Sequence, residues 1–482
     1  MKEKILSKYN SLPLQVKASF WFLICSFLQK GITFITTPVF TRILTLEEYG
    51  LYNVFNSWES MFSVVISLNL CYGVYTQGLI KFDEEKKQFS SAMQGLTLTL
   101  VVIWATIYAI FYKSIDSITG LNYIYMILMF IFIWMTSAFN FWAGEQRVEY
   151  KYKKLIIITL AVSILNPLIS IILIRYMSNN VLARILGIVL VAIVFYSGMF
   201  ISQQLQGKRF YSKKYWKYAL KFNIPLIPHY LSQTVLNSSD RIMIEKINGS
   251  SKAGIYSLAY SLSLVMTLFN NALLQTISPW IYKKIKGKET YKITNIAYTT
   301  MFLIAGVNIL LIAFAPEIVR IFAPITYLEA IWIIPPVAMS AYFMYLYDLF
   351  AKFEFYYEKT KFIATATVIG AIANIILNYV FINKYGYIAA GYTTLICYIL
   401  YALAHYICMQ KICKSNDIYQ PYDLKKVLAI SVSFISIGFF IAIFYNNVTI
   451  RYIIILSLIW ILIVKRNYII EKIKNVESLR KE

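Results

Sequence analysis

Acidic residues are scarce in this chain. Its 482 residues contain 23 Asp and Glu against 46 Lys and Arg, and only 14% of positions are charged, where soluble domains carry about 25%. With 59% of positions hydrophobic, that deficit argues against an ordinary water-soluble domain. Cysteine is rare as well. Cys25, Cys71, Cys397, Cys408 and Cys413 make no CxxC pair, which leaves neither a disulfide framework nor a metal site. Long polar connections are missing. None between the apolar runs exceeds roughly 20 residues, too short for an extramembrane catalytic domain. No P-loop occurs, so no nucleotide is expected to drive the protein, and no cofactor is expected.

Fourteen apolar stretches are present instead, each long enough for the roughly 20 residues that cross a bilayer core. They cover approximately residues 18–41, 52–78, 89–112, 121–143, 155–175, 182–203, 222–244, 254–281, 293–315, 330–351, 361–382, 386–410, 427–445 and 448–464. This pattern predicts an all-α polytopic membrane protein with 14 transmembrane helices. The Lys and Arg residues fall overwhelmingly on alternate connections, the positive-inside signature, so both termini are expected in the cytoplasm and the chain in an inner membrane. A net charge of +23 ordinarily raises the question of nucleic acid. Here the charge collects in short loops, such as Lys208, Arg209, Lys213, Lys214, Lys217 and Lys221, where anionic membrane lipid accounts for it and no nucleic acid is expected. The start, MKEKILSKYNSLPLQVK, precedes a full-length span rather than a short apolar region with a cleavage site. No signal peptide is expected to be removed.

The two halves resemble each other. TRILTLEEYGLYNVF in the first half matches DRIMIEKINGSSKAGIYSLAY in the second, aligning Arg42 with Arg241 and Tyr52 with Tyr256. Lys153, Thr159 and Asn166 align with Lys361, Thr367 and Asn374, all at one offset. These matches predict a six-helix unit duplicated in parallel orientation, an arrangement known in transporters. The expected domains are an N-lobe at 1–206 (spans 1–6), a basic cytoplasmic linker at 207–221 and a C-lobe at 222–412 (spans 7–12). A further helix pair with a basic tail follows at 425–482.

A helix facing lipid should be apolar all round, so polar stripes mark faces turned to protein or water. Span 1 carries Ser26, Lys30, Thr33, Thr37 and Thr41, and span 2 carries Asn56, Glu59, Ser63 and Ser67. Span 7 carries His229, Gln233, Asn237 and Arg241, and span 8 carries Ser263, Thr267, Asn271, Gln275 and Ser278. Either these stripes wall a hydrated central cavity, or they knit helices together by hydrogen bonds. Lys30 lies near mid-span, where a charge costs roughly 2.5–3.5 kcal/mol unless it meets water or a partner. It is a candidate phosphate contact, or else the ion-pair partner of Glu59. Arg42 and Arg241 are repeat mates suited to bidentate phosphate binding, with interfacial anchoring as the plainer alternative. Asp240 is a candidate for a coupling cation or proton, and His229, between Pro225 and Pro228, for a gate or a core histidine. His405, Asp348, Lys352 and Glu354 fall near span ends, where interfacial solvation is expected to suffice. Pro38, Pro167, Pro279, Pro335 and Pro336 predict kinks or breaks.

The segments ITFITTPVFTRILTLEEYGLYNVFNSW, FNIPLIPHYLSQTVLNSSDRIMIEKINGSSKAGIYSLAYSLS and ANIILNYVFINKYGYIAAGYTTLICY resemble the Wzx-type polysaccharide flippases of the multidrug/oligosaccharidyl-lipid/polysaccharide exporter superfamily. The resemblance extends over the whole chain. It implies two six-helix lobes around a cationic central cavity and no enzymatic activity. It also implies a lipid-linked oligosaccharide substrate, an undecaprenyl-pyrophosphate repeat unit for capsule or O-antigen, carried across a bacterial cytoplasmic membrane. Coupling to H+ or Na+, and contact with other polysaccharide-assembly proteins, are further implications. An ion-coupled drug exporter of the same superfamily is the nearest rival; such a pump would want acidic groups facing a cationic substrate. A membrane polysaccharide polymerase or acyltransferase is the rival of a different class.

Overall fold

The computed structural model describes residues 13–464 together with 466. The first twelve residues, and the basic tail expected after the last span, lie outside the described residues. All regular structure among the described residues is helical. Helices α1 (Leu14–Ile43), α2 (Leu46–Ser67) and α3 (Val74–Lys81) open the chain, followed by α4 (Lys86–Thr119), α5 (Tyr123–Val148), α6 (Tyr152–Tyr176) and α7 (Asn180–Gly207). A short helix α8 (Lys213–Asn223) leads into α9 (Ile227–Asn248), α10 (Ser250–Ser263), α11 (Val265–Lys286), α12 (Ile293–Ala313) and α13 (Ala315–Phe322). The chain ends with α14 (Ile334–Tyr356), α15 (Thr360–Tyr385), α16 (Ala389–Ser415), α17 (Leu424–Ile443) and α18 (Val448–Val464).

Local chemistry sets the helix ends. Thr45 accepts from the Glu48 amide at 3.2 Å while the Glu48 carboxylate accepts from the Thr45 amide at 2.8 Å, a reciprocal cap on α2. Asn179 caps α7 by accepting from the Leu182 amide at 2.9 Å. Gly120 ends α4 with φ +69, a left-handed conformation that costs glycine little.

Large apolar side chains cover much of the outside. Ile35, Ile157, Val194 and Ile443 are each about 70% exposed, an arrangement stable only where lipid replaces water. Among the described residues, ten helices or continuous helical stretches are long and apolar enough to cross a membrane. An eleventh span arises if the 3-10 segment Ile325–Trp332 and α14, bent by 47°, count as one. This is a multi-pass membrane protein; length and composition of the described residues do not confirm the expected count of fourteen crossings. All fourteen expected spans are helical where described; the second and seventh fall short, and the fourteenth runs to the edge of the described residues. The second ends at Leu68 and Asn69, both at positive φ, so α2 and α3 divide what the apolar run joined. The seventh, α9, carries too many polar residues. The described part of the fourteenth includes the apolar stretch Val448–Trp460.

The chain forms two compact units, divided within α9 between Thr234 and Val235. In the N-terminal unit, Tyr75 packs against Phe89 and Phe141 with ring centroids 5.8 and 4.7 Å apart, and its hydroxyl meets Ser90 Oγ at 2.7 Å. A polar chain ties three helices there. Gln94 on α4 donates to Gln203 on α7 at 2.7 Å, and Gln203 donates to Glu145 on α5 at 2.8 Å. In the C-terminal unit α14 is buried along most of its length, and Asn270 on α11 donates to the carbonyl of its Ala341 at 2.7 Å. The last helix is fixed to this unit by Arg451, which is 1% exposed and bonds Glu317 on α13 at 2.5 Å.

Beyond the end of α5, Glu149 pairs with Lys151 at 2.5 Å and Lys86 at 3.1 Å. Burial pushes its carboxyl upward, but the two ammonium groups outweigh burial and hold it below the ordinary glutamate range. A depressed folded value stabilises the fold above the unfolded value of about 4.3, and that contribution is lost as pH falls through the folded value. Glu149→Gln is therefore expected to lower the unfolding midpoint in detergent at pH 7 and to match the parent near pH 3. An equal deficit at both pH values would reject the ion-pair account.

Candidate functional site

On α1, Lys30, Thr33 and Thr37 share one face at helical spacing. Thr33 donates to the Gln29 carbonyl at 3.1 Å and Thr37 to the Thr33 carbonyl at 2.9 Å, so both hydroxyls are turned to their own helix. Lys30 is exposed. Among the described residues Lys30 and Glu59 form no ion pair. Asn56 and Glu59 are both half-buried on α2.

Arg42 and Arg241 adopt the same local geometry in their two units. Each is bonded to the backbone carbonyl four residues earlier: Arg42 Nη1 to Pro38 O at 2.9 Å, Arg241 Nη1 to Asn237 O at 2.8 Å. Arg241 also lies 4.3 Å from the ring centroid of Tyr260, whose hydroxyl donates to Asn237 Oδ1 at 3.3 Å. A guanidinium braced this way has fewer orientations to lose when it binds an anion. His229 is half-buried with Nδ1 unpartnered, and Gln233 lies one turn further along α9. On α11, Asn271 and Gln275 are exposed, whereas the neighbouring Asn270 is the buried one.

Asp240 is the most enclosed of the expected site residues, at 0% exposure. Its carboxylate accepts from Tyr256 on α10 at 2.6 Å, from Asn378 on α15 at 2.5 Å and from Thr394 on α16 at 3.0 Å. Asn378 also donates to Asn374 Oδ1 at 3.1 Å, and Ser239 donates to the same oxygen at 3.3 Å. Four helices thus converge on one carboxylate. Sequence reasoning singled out Asp240, Tyr256 and Asn374 but missed Asn378 and Thr394. Asn378 follows the repeat-matched Asn374 by one helical turn, which was the available signal.

Two further clusters escaped the sequence. His405 and Glu354 were expected to be solvated near span ends. Both are 0% exposed instead, with Nδ1 of His405 2.8 Å from Glu354 Oε2, because α14 and α16 pack there behind Tyr347, Tyr401 and Phe362. Arg184, near the start of α7, lies over the rings of Phe40 and Tyr52. No metal-binding group of three or more His, Cys, Asp or Glu occurs among the described residues.

The architecture is that of a class of multi-pass transporters. A structure of the lipid II flippase MurJ in an inward closed conformation matches with a TM-score of 0.70 at 17% identity, over 92% of this chain and 99% of that one. An inward-facing MATE multidrug resistance transporter of the MOP superfamily matches with a TM-score of 0.61 at 15% identity, over 80% and 96%. At such identities the likeness is one of fold. The family described as "Polysaccharide biosynthesis protein" matches residues 16–285, more than half of the chain, and the chain belongs to that family. A curated relative from the Lsg locus of Haemophilus influenzae is 24% identical over 255 residues, 50% of this chain and 59% of its own length. The chain thus spans about three-fifths of that relative.

The His405–Glu354 contact yields a direct test. His405→Leu leaves a buried carboxylate without its partner, a loss of about 3–5 kcal/mol, seen as a lower unfolding midpoint. His405→Leu combined with Glu354→Leu is expected to recover much of it. Equal midpoints for the single and double variants would show that the pair does not hold α14 to α16.

Proposed function

We propose that this protein is a flippase for lipid-linked oligosaccharides. Its cargo is an undecaprenyl-pyrophosphate repeat unit destined for capsule or O-antigen. The unit moves from the cytoplasmic to the outer leaflet of a bacterial cytoplasmic membrane, in which both termini of the chain face the cytoplasm. The observation that carries this reading is Lys30: an exposed cation in the middle of an apolar helix, with no ion pair to Glu59 among the described residues, in a member of a polysaccharide biosynthesis family. The fold shared with a lipid II flippase supports it.

A pyrophosphate with its sugars does not cross hydrocarbon unaided, because removing water from such charges costs far more than thermal energy supplies. In the proposal Lys30, Arg42 and Arg241 contact the phosphates, while Thr33, Thr37, Asn56, Glu59, His229, Gln233, Asn237, Asn271 and Gln275 supply polar lining. A cationic cavity open to one side at a time removes the barrier while the prenyl tail stays in lipid, and alternating access completes the transfer.

Asp240 is the proposed coupling site. Its carboxylate sits beside the hydroxyls of Tyr256 and Thr394 and the side-chain amide of Asn378, and a carboxylate flanked by hydroxyl oxygens is the donor type that suits a hard cation. The carboxylate would equally take up a proton. Either ion would neutralise a buried charge and change which of the three donors the carboxylate still needs. Asp240→Asn is expected to leave the fold intact and to abolish dependence of transport on the ion gradient.

The test follows a lipid-linked oligosaccharide in proteoliposomes, scored by glycosidase access to sugars that have crossed. Wild type is expected to move the glycan, and Lys30→Ala, checked for insertion, to lower the rate at least about tenfold, the equivalent of 1.4 kcal/mol of lost interaction. Extrusion of a cationic dye without glycan crossing would favour a drug exporter, the activity named for the MATE relative.

A further inference from the structure

At 27 residues, α16 is about 40 Å long. That exceeds a hydrocarbon core of about 30 Å, so one end of the helix stands at or beyond the membrane edge. After its last turn the chain folds back along the helix. The Ile418 amide donates to the Cys413 carbonyl at 3.1 Å, and Gln420 Nε2 donates to the Tyr406 hydroxyl at 2.7 Å and the Tyr422 carbonyl at 2.9 Å. The returning segment is also tied to the region of α12. Thr290 Oγ1 donates to the Tyr419 carbonyl at 2.6 Å, and the Asp423 amide donates to the Tyr298 hydroxyl at 2.9 Å. Between this segment and α16 lies a cavity of about 460 Å³, lined by Gln410, Lys411, Cys413, Lys414, Ile418 and Gln420. Its volume falls in the range of small-ligand sites.

Lys411 and Lys414 are exposed, and neither forms an ion pair among the described residues. Asp417, the acidic residue nearest to them in sequence, does not line the cavity. The last carbonyls of α16, which would repel an anion, are partly occupied. The Ile412 carbonyl accepts from Asn416 Nδ2 at 2.8 Å and the Cys413 carbonyl from Ile418. Both lysines continue a row of exposed apolar side chains. Ile396, Leu400, Leu403 and Ile407 precede them at steps of three and four, which keeps all six on one helix face. Such a row is stable against acyl chains, and it ends in two cations beside a cleft.

We infer that this cleft binds an anionic phospholipid, with the headgroup phosphate at Lys411 and Lys414 and one acyl chain along Ile407, Leu403 and Leu400. Lysine holds a phosphate as a compact point charge. Gln410 commits its amide nitrogen to the Tyr406 hydroxyl at 3.3 Å and to Gln420 Oε1 at 3.5 Å, which leaves its carbonyl oxygen to accept from a headgroup hydroxyl. A free phosphate would use the lysines alone; the apolar row beside them selects a lipid. The bound lipid braces the segment that joins α16 to α17. This site stands independently of the proposed cargo. Only the leaflet, the cytoplasmic one, rests on the proposed orientation of the chain.

The experiment uses the purified full chain in detergent and a photoreactive phosphatidylglycerol with its diazirine near the headgroup end of one acyl chain. Adducts are mapped by peptide mass spectrometry. Wild type is expected to be labelled between Leu400 and Gln420, with unlabelled phosphatidylglycerol competing at least about tenfold better than phosphatidylcholine. Lys411→Gln/Lys414→Gln is expected to lower labelling of that segment about tenfold while other labelled segments stay unchanged. Lys411→Arg/Lys414→Arg keeps the charge and is expected to retain it. Equal competition by phosphatidylcholine, or labelling of the segment indifferent to the glutamine pair, would overturn the inference. So would an equal loss in the arginine pair. Inorganic phosphate or glycerol 3-phosphate competing as well as the lipid would assign the lysines to a free phosphate and overturn the lipid.

Discussion

Inside an apolar span, a polar side chain must find its partner within the protein, because lipid supplies none. That constraint organises both units. Asp240 gathers donors from α10, α15 and α16; Gln203 joins α4 to α5 across α7; Asn270 ties α11 to α14. Each such bond contributes modestly, about 0.6 kcal/mol on average where interhelical bonds have been measured. Their larger effect is on choice. Lipid and leucine are nearly equivalent surroundings for an apolar helix, so the few polar contacts and close-packed glycines select which helices become neighbours.

The same constraint separates the polar residues into two groups. Those fully enclosed, such as Asp240, Asn378, His405 and Glu354, are held by other side chains and specify the packing of their unit. Those left exposed on otherwise apolar helices, such as Lys30, Asn271 and Gln275, have interactions to offer elsewhere. In a transporter of the proposed kind, the second group meets the cargo, and an enclosed carboxylate senses the ion that drives it. Asp240 belongs to the first group by geometry and, in the proposal, serves the second by chemistry, since its partners are oxygen-bearing groups that a cation could share.

The two halves share polar positions. Asn166 and Asn374 stand at matching places in the sequence repeat. One turn after each, Ser170 or Asn378 bonds the fifth residue of the following helix, Arg184 or Thr393. The braced arginines, Arg42 and Arg241, kept their form in both units.

Composition and hydropathy alone determined that the chain is helical and membrane-embedded, because a run of apolar residues in lipid has no other way to satisfy its backbone. Repeat spacing also made Arg42, Arg241, Tyr256 and Asn374 legible as related positions. What the sequence did not disclose were contacts between helices far apart in the chain. The ladder from Asp240 to Asn378 and Thr394 joins residues more than a hundred positions apart, and no local periodicity encodes such a pairing. His405 and Glu354 read as solvated span ends, yet α14 and α16 bury them together. Span 2 read as continuous, yet positive φ at Leu68 and Asn69 breaks it. Length and hydropathy are properties of a segment and survive in the sequence. Burial, ion pairing and the stacking of Arg184 on Phe40 and Tyr52 are properties of neighbours, and only the tertiary structure decides who those neighbours are.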